Sequence, residues 1–177
     1  MITVRPEQPQ DIPAVRSVNE QAFERRTEAD LVDALRAGCP EILSLVAELD
    51  DEVVGHIMFS PATVTGASSS VEGMGLGPIA VLPEYQRQGI GSRLIEEGLD
   101  HLRQRSCPFV LLVGHSSYYP RFGFERASQH GLECQWDGVP DDAFMVIVFD
   151  EDTMAGVSGV TRFRHEFDLA IREDGAC

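Results

Sequence analysis

Residues 86–91, QRQGIG, have a composition that could bind phosphate. They stand between a hydrophobic stretch, IAVLPEY, and a segment whose apolar residues recur at helical spacing. The first turn of a helix has amide groups without intrahelical partners, the helix dipole adds partial positive charge, and glycines let an anion approach the backbone. Taken alone, Gly89 and Gly91 fit an ordinary turn before a helix as well as they fit a phosphate-binding loop.

Spacing excludes two familiar phosphate-binding loops at this position. The dinucleotide fingerprint GxGxxG would need a third glycine at position 94, which is Leu94. A Walker loop needs GxxxxGK followed by Ser or Thr, and the sequence contains no such run. A phosphate-binding role would therefore have to come from a different kind of loop.

A second motif, YYPRFGF, follows about one strand later and places Tyr119 four residues before Gly123. With the QxxGxG pattern of Gln86, Gly89 and Gly91, it resembles the two signatures of the GCN5-related N-acetyltransferase (GNAT) superfamily, in particular a bacterial branch of predicted N-acetyltransferases. The resemblance covers nearly the whole chain and is most specific over residues 76–126. It implies an α/β GNAT fold, whose mixed, mostly antiparallel central sheet splays at two parallel strands and is flanked by about four helices.

The resemblance also implies acetyl-CoA as cosubstrate and no metal. In that family the acyl-pantetheine arm pairs with backbone exposed between the splayed strands, here GPIAVL and FVLLVG, and an amide near Ile79 could polarise the thioester carbonyl. The backbone residues implied for the arm are Ile79, Ala80 and Val81. The residues implied for the pyrophosphate are Gln86, Arg87, Gln88, Gly89, Ile90, Gly91 and Ser92.

Catalysis in this family is direct attack of a neutral amine on the thioester. Tyr119 is the candidate general acid, because a phenol of pKa about 10 can protonate a departing thiolate of about 8.5 when held close. The glutamate that the family often places on the strand before the loop is missing, so the base stays open between Glu72, His115 and a water relay. His56 on the third strand is interpreted as a core or surface residue.

Two functions from different classes fit these motifs. The first is an enzyme, an acyl-CoA-dependent N-acyltransferase that transfers acetyl to a primary amine of a small molecule or peptide. The alternative is a non-catalytic acyl-CoA-binding sensor or regulatory module, which the missing strand glutamate permits and the retained Tyr119 disfavours.

Composition limits the partners. Twenty-nine acidic against fourteen basic residues give a formal net charge of −15, which repels nucleic acid and anionic membranes and mildly favours a cationic acceptor. No apolar run approaches the roughly 20 residues that span a bilayer, so a cytoplasmic location is expected. The scattered cysteines predict neither a metal site nor disulfides; they are Cys39, Cys107, Cys134 and Cys177. A homodimer is possible, since dimers are common in such families.

The elements that must position these residues alternate along the chain in the order β, α, α, β, β, β, α, β, α, β, β. A hairpin with an acidic turn at 50–52 precedes a polar loop, residues 65–73, and an amphipathic helix runs from Gly89 to about Arg105. Residues 159–167 predict a weak edge strand. The prediction is one N-acetyltransferase domain over 1–177, with a core at about 1–150 and a C-terminal extension at 151–177.

Overall fold

The computed structural model of the chain describes residues 1–66, 69–168 and 170. Ala67 and Ser68, within the loop predicted at 65–73, lie outside the described residues. So does the end of the predicted C-terminal extension, including Cys177.

Helices and strands alternate much as the sequence pattern predicts. The α-helices are α1 (Ile12–Phe23), α2 (Thr27–Gly38), α3 (Ile90–Gln104) and the short α4 (Glu151–Met154). The strands are β1 (Thr3–Pro6), β2 (Leu43–Leu49), β3 (Glu52–Thr65), β4 (Ser70–Val81), β5 (Phe109–Val113), β6 (Glu125–Arg126), β7 (Leu132–Glu133), β8 (Phe144–Val148) and β9 (Gly159–Arg162). Short 3-10 turns cover Pro9–Asp11, Pro83–Tyr85, Tyr119–Phe122 and Ala127–His130.

The strands form a mixed sheet in the order β1-β2-β3-β4-β5-β8-β6, with β9 pairing β3 and β7. The ladders β1–β2, β2–β3, β5–β8, β6–β8 and β3–β9 are antiparallel. The neighbours β4 and β5 are parallel, with Met74 opposite Val110 and Gly75 opposite Leu111. This arrangement confirms the predicted α/β class with a mostly antiparallel sheet and a central parallel pair.

The chain divides into two compact units. The first contains residues 1–60 and 77–99 and the described residues from Arg164 onwards. The second contains residues 61–76 and 100–163.

In the first unit, β3 presents alternate residues to helices on opposite faces of the sheet, as a strand's period of two requires. A side chain at Gly55 would lie 3.1 Å from Ile90 and Leu94, which identifies the face that packs on α3. His56 projects to the other face, where it meets α1 through Asn19. The amphipathic α3 therefore rests on the sheet with its N-terminus fixed by buried Ile90.

Two predicted boundaries are wrong. The strand β4 begins at Ser70, so the end of the predicted polar loop belongs to the sheet. Small residues hid this start, because Gly73 is covered by the Phe109 ring and needs no apolar side chain of its own. The predicted edge strand at 159–167 pairs only as far as Arg162, and Phe163 then packs on Gly75.

Candidate active site

The turn between β4 and α3 belongs to the first unit, and its backbone conformation sets where its amides can point. After Val81 a 3-10 turn, Pro83–Tyr85, reverses the chain, and Gln86 is extended. Arg87 and Gly89 both have positive φ, 60° and 85° respectively. A positive φ costs a non-glycine residue roughly 1–2 kcal/mol, so the backbone of Arg87 is strained. Gly89 adopts its positive φ without this cost.

The N-terminus of α3 opens onto free space. The Arg93 amide donates to the Gly89 carbonyl at 3.1 Å, so the amides of Ile90 and Gly91 precede this first helical hydrogen bond. A Cβ built on Gly89 would meet no atom within 4 Å. The α3 helix is 15 residues long, which gives its N-terminus the partial positive charge of a full dipole. The turn is therefore shaped to receive an anion that approaches the backbone at Gly89.

The glutamines of the turn hold its shape. The Gln86 side-chain amide donates to the Val81 carbonyl at 3.0 Å, and the Gln88 side-chain amide donates to the Glu84 carbonyl at 3.0 Å. Both glutamines are exposed, as is Arg87, whereas the Ile90 side chain is in the core. Any contact of Ile90 with a ligand must come from its backbone.

The backbone of β4 has a direction that the sequence could not reveal. The Leu82 amide donates to the Val54 carbonyl of β3 at 2.9 Å. Because polar backbone groups alternate between the two edges of a strand, those of Ala80 point towards β3, while those of Ile79 and Val81 point towards the opposite edge. The expected set 79–81 thus separates into one residue that faces the β3 ladder and two that face the other way.

Tyr119 belongs to the second unit and begins the 3-10 turn Tyr119–Phe122, which ends at Gly123 with a φ of 97°. The Tyr119 ring is 8% exposed and packs edge-on against Tyr118 and Phe124, at centroid distances of 5.2 and 5.9 Å. A side chain at Gly114 would overlap the Tyr119 ring. A glycine at the end of β5 is therefore needed to seat this tyrosine.

Burial raises the pKa of Tyr119 to about 12, with a smaller contribution from the neighbouring Tyr118. Within the part of the chain that the structure describes, no residue hydrogen-bonds the Tyr119 hydroxyl. The phenol is consequently a neutral O–H donor at physiological pH.

The two candidate bases, Glu72 and His115, also belong to the second unit. Glu72 lies on β4 and His115 follows β5, and both are exposed. The His115 carbonyl accepts a hydrogen bond from the Tyr118 amide at 3.0 Å, which fixes the backbone before the tyrosine turn. Neither residue is buried, so burial does not favour one over the other as a base.

A buried chain of hydrogen bonds in the first unit was not predicted from the sequence. The Asn19 amide meets His56 Nδ1 at 3.1 Å, His56 Nε2 meets the Ser44 hydroxyl at 2.9 Å, and Ser44 bonds Glu7. Arg36 pairs with the same Glu7 carboxylate at 2.6 Å. A carboxylate only accepts, so Ser44 donates to Glu7 and accepts from His56 Nε2–H, which leaves Nδ1 to accept from Asn19.

His56 is fully buried, and its pKa is lowered to about 3, mainly by burial and secondarily by the charge of Arg36. The interpretation of His56 as a core residue, one of two that its sequence position allowed, is confirmed. Its direct partners come from α1 and β2, and Glu7, which extends the chain of hydrogen bonds, follows β1, so no local sequence pattern marks them.

Two negative findings concern the described residues. None of their His, Cys, Asp and Glu side chains form a group of three or more that could hold a metal ion. None of the helices formed by residues 1–66, 69–168 and 170 is long and apolar enough to cross a membrane.

Comparison with known proteins identifies the family. Residues 3–127 match the model of the acetyltransferase (GNAT) domain. The chain is 36% identical over 166 residues to the uncharacterized N-acetyltransferase YhbS of Escherichia coli (strain K12), covering 93% of this chain and 98% of YhbS. The chain therefore belongs to the GNAT family of acetyltransferases, as the two signatures predict.

Two solved structures share this architecture. The structure of Escherichia coli YhbS in complex with CoA matches with a TM-score of 0.87 and 35% identity, over 94% of this chain and 92% of that one. A GNAT family acetyltransferase from Brucella melitensis in complex with acetyl-CoA matches with a TM-score of 0.77 and 38% identity, over 95% and 99% of the two chains.

Proposed function

We propose that this protein transfers an acetyl group from acetyl-CoA to a primary amine of a small molecule or peptide by direct attack of the amine on the thioester. The observation that carries the proposal is the turn at 86–92, where Gly89 leaves open space beside the N-terminus of a long helix. The CoA and acetyl-CoA complexes of the similar E. coli and Brucella proteins support this donor.

The pyrophosphate is proposed to bind the backbone amides of residues 86–92. Local geometry is needed here, because a chain of net charge −15 repels an anion on average. The exposed Arg87 adds a positive charge at the turn, while Gln86 and Gln88 hold the loop through bonds to their own backbone.

The pantetheine arm is proposed to pair with the outward-facing backbone of β4. Because backbone polar groups alternate between the two edges of β4, Ile79 and Val81 are the residues among 79–81 that face the arm. Ala80 faces β3 and helps to hold the strand in the sheet. The Ile79 amide is the proposed donor to the thioester carbonyl, where a preorganised N–H stabilises the charge that develops on oxygen.

Tyr119 is the proposed proton donor to the departing thiolate. A phenol of pKa about 12 would transfer its proton to an ordinary thiolate of about 8.5 at a cost of about 5 kcal/mol. Burial raises the pKa of a thiol as it does that of a phenol. The difference between the two pKa values is therefore smaller when the departing thiolate is buried. The role of base is proposed for Glu72 or His115, whose exposure leaves both able to exchange protons with water.

The decisive experiment measures thiol release from acetyl-CoA with a panel of amines that includes polyamines, amino sugars, lysine and peptide N-termini, between about pH 6 and 9. Amine-dependent thiol release with a matching acetylated product is expected. Tight CoA binding without acceleration by any amine would instead support a CoA-binding sensor.

Gly89→Val tests the phosphate seat, because its side chain would enter the open space. CoA affinity is expected to fall at least tenfold in a calorimetric titration. Gly138→Val is the matched control, since Gly138 also has a positive φ of 83° and no atom within 4 Å of an added Cβ. It carries the same backbone strain in a loop of the second unit and should bind CoA normally. Equal CoA affinity in both variants would show that the pyrophosphate does not bind at this turn.

Tyr119→Phe tests the proton donor. Turnover is expected to fall at least tenfold while CoA affinity is unchanged, because only the hydroxyl is lost and the ring still fills its buried position. An unchanged rate would make Tyr119 a packing residue.

A further inference from the structure

The segment 164–167 is fastened to the end of α2. Arg164 donates to both oxygens of the Glu166 carboxylate, at 3.1 and 2.8 Å, and to the Gly38 carbonyl at 3.1 Å. Glu166 is only 8% exposed, and the Arg164 charge with its hydrogen bonds lowers the Glu166 pKa against the effect of burial. A Cβ at Gly38 would lie 2.6 Å from Glu166 Oε1, so a glycine at this helix end makes room for the carboxylate.

This attachment holds Phe167 over β4. The Phe167 ring is 8% exposed, and a Cβ at Gly77 would lie 3.5 Å from its Cε1 and 3.9 Å from its Cζ. The ring therefore occupies ordinary contact distance on the face of the strand where Gly77 has no side chain.

Gly77 and Ile79 are two residues apart on β4, and both are partly exposed while Pro78 between them is buried. Two residues of a strand span at most about 6.6 Å. A chain of carbon–carbon bonds of about 1.5 Å each, which advances somewhat less per bond because it zigzags, covers that distance in roughly five bonds. The Ile79 amide points to the edge of β4, so an acetyl group held there is too short to reach the ring, whereas a six-carbon acyl chain that turns from this edge towards Gly77 is long enough to meet it.

We propose that Phe167 limits the length of the acyl group that this protein accepts, with the pair Arg164–Glu166 as its positioning residues. The proposal rests on the proposed function, because it takes the Ile79 amide as the thioester contact. Acetyl-CoA and other short acyl-CoA molecules fit beside the ring, and hexanoyl-CoA collides with it.

Equilibrium binding tests this without knowledge of the acceptor amine. Calorimetric titration of the wild type with CoA, acetyl-CoA and hexanoyl-CoA is expected to show at least tenfold weaker binding of hexanoyl-CoA than of acetyl-CoA. In Phe167→Ala this ratio should fall to about one, with the affinity for CoA itself unchanged. Phe167→Leu, which keeps more of the packing, should give an intermediate ratio and serves as the test if the alanine variant does not fold.

Phe163→Ala is the matched control. Phe163 lies in the same part of the chain but covers Gly75, four residues from Ile79 on the strand. It should keep the wild-type ratio of acetyl-CoA to hexanoyl-CoA affinity. If Phe163→Ala changed the ratio as much as Phe167→Ala, the effect would be general loosening and the proposal would be wrong.

The outcomes separate the two proposals. Wild-type protein that binds neither CoA nor acetyl-CoA would refute the proposed function, and the limit on acyl length with it. Wild-type protein that binds acetyl-CoA and hexanoyl-CoA equally, or a Phe167→Ala variant that keeps the wild-type ratio, would overturn the role of Phe167 and leave the acetyl-CoA assignment intact.

Discussion

Replacing His56 by glutamine should change how the stability of this protein depends on pH. In the folded chain the pKa of His56 is about 3, against 6.5 for an ordinary histidine, because the ring is fully buried and Arg36 adds a like charge. Between pH 3 and 6.5, therefore, His56 is protonated in the unfolded chain and neutral in the folded chain. The folded state loses stability as pH falls from about 6.5 towards 3, at up to about 1.4 kcal/mol per pH unit.

The whole difference corresponds to roughly 5 kcal/mol, which is comparable to the net stability of a small domain. Between pH 7.5 and 4.5 the histidine alone should remove about 2.5 kcal/mol from the free energy of unfolding. A glutamine at position 56 does not titrate and retains polar atoms for Asn19 and Ser44, so His56→Gln should lack this part of the pH dependence.

The assay is urea unfolding at intervals from pH 7.5 to 4.5, with the free energy of unfolding compared between wild type and His56→Gln. The difference between the two proteins should shift by about 2.5 kcal/mol in favour of the variant across this range. His115→Gln removes a histidine from an exposed position and should follow the wild-type curve. Parallel curves for wild type and His56→Gln, or a His56 ring proton signal that titrates near pH 6, would refute the argument.

Three further predictions concern packing and the loop. Gly98→Ala should lower the free energy of unfolding by about 1–3 kcal/mol in a urea titration, because its Cβ would overlap the ring of Phe59 beneath α3; an unchanged midpoint would mean that the helix shifts freely. Gly114→Ala should reduce turnover as Tyr119→Phe does, since it displaces that ring, and a normal rate would argue against a fixed tyrosine. Gln86→Leu should weaken CoA binding about fivefold by calorimetry through loss of one hydrogen bond to the end of β4, whereas an unaltered Kd would make the bond dispensable.

Much of the fold could be predicted because its signals are local. The stripe of apolar residues marks α3, and the acidic turn marks the hairpin of β2 and β3. The strand β4 was harder, since Gly73, Gly75 and Gly77 supply no apolar pattern and rely on phenylalanine rings from elsewhere in the chain. Its early start at Ser70 therefore escaped prediction.

The candidate site divides in the same way. Glycine spacing in the turn and the distance from Tyr119 to Gly123 are visible in the letters, and they were sufficient to predict the family. The direction of the Ile79 amide could not be predicted from the sequence, because it depends on which edge of β4 pairs with β3. The hydrogen bond from the Leu82 amide to the Val54 carbonyl identifies that edge. The choice between Glu72 and His115 as base stays a prediction.

By itself the sequence determined the class of fold, the loop at 86–91 and the tyrosine turn, because each depends on contacts within a few residues. Only the tertiary structure decided that His56 is neutral and buried against residues from α1 and β2, and that Phe167 lies on Gly77 from ninety positions away. Burial sets the pKa of a side chain, and long-range packing sets the space available beside a strand. The spacing of neighbouring residues in the sequence specifies neither burial nor long-range packing.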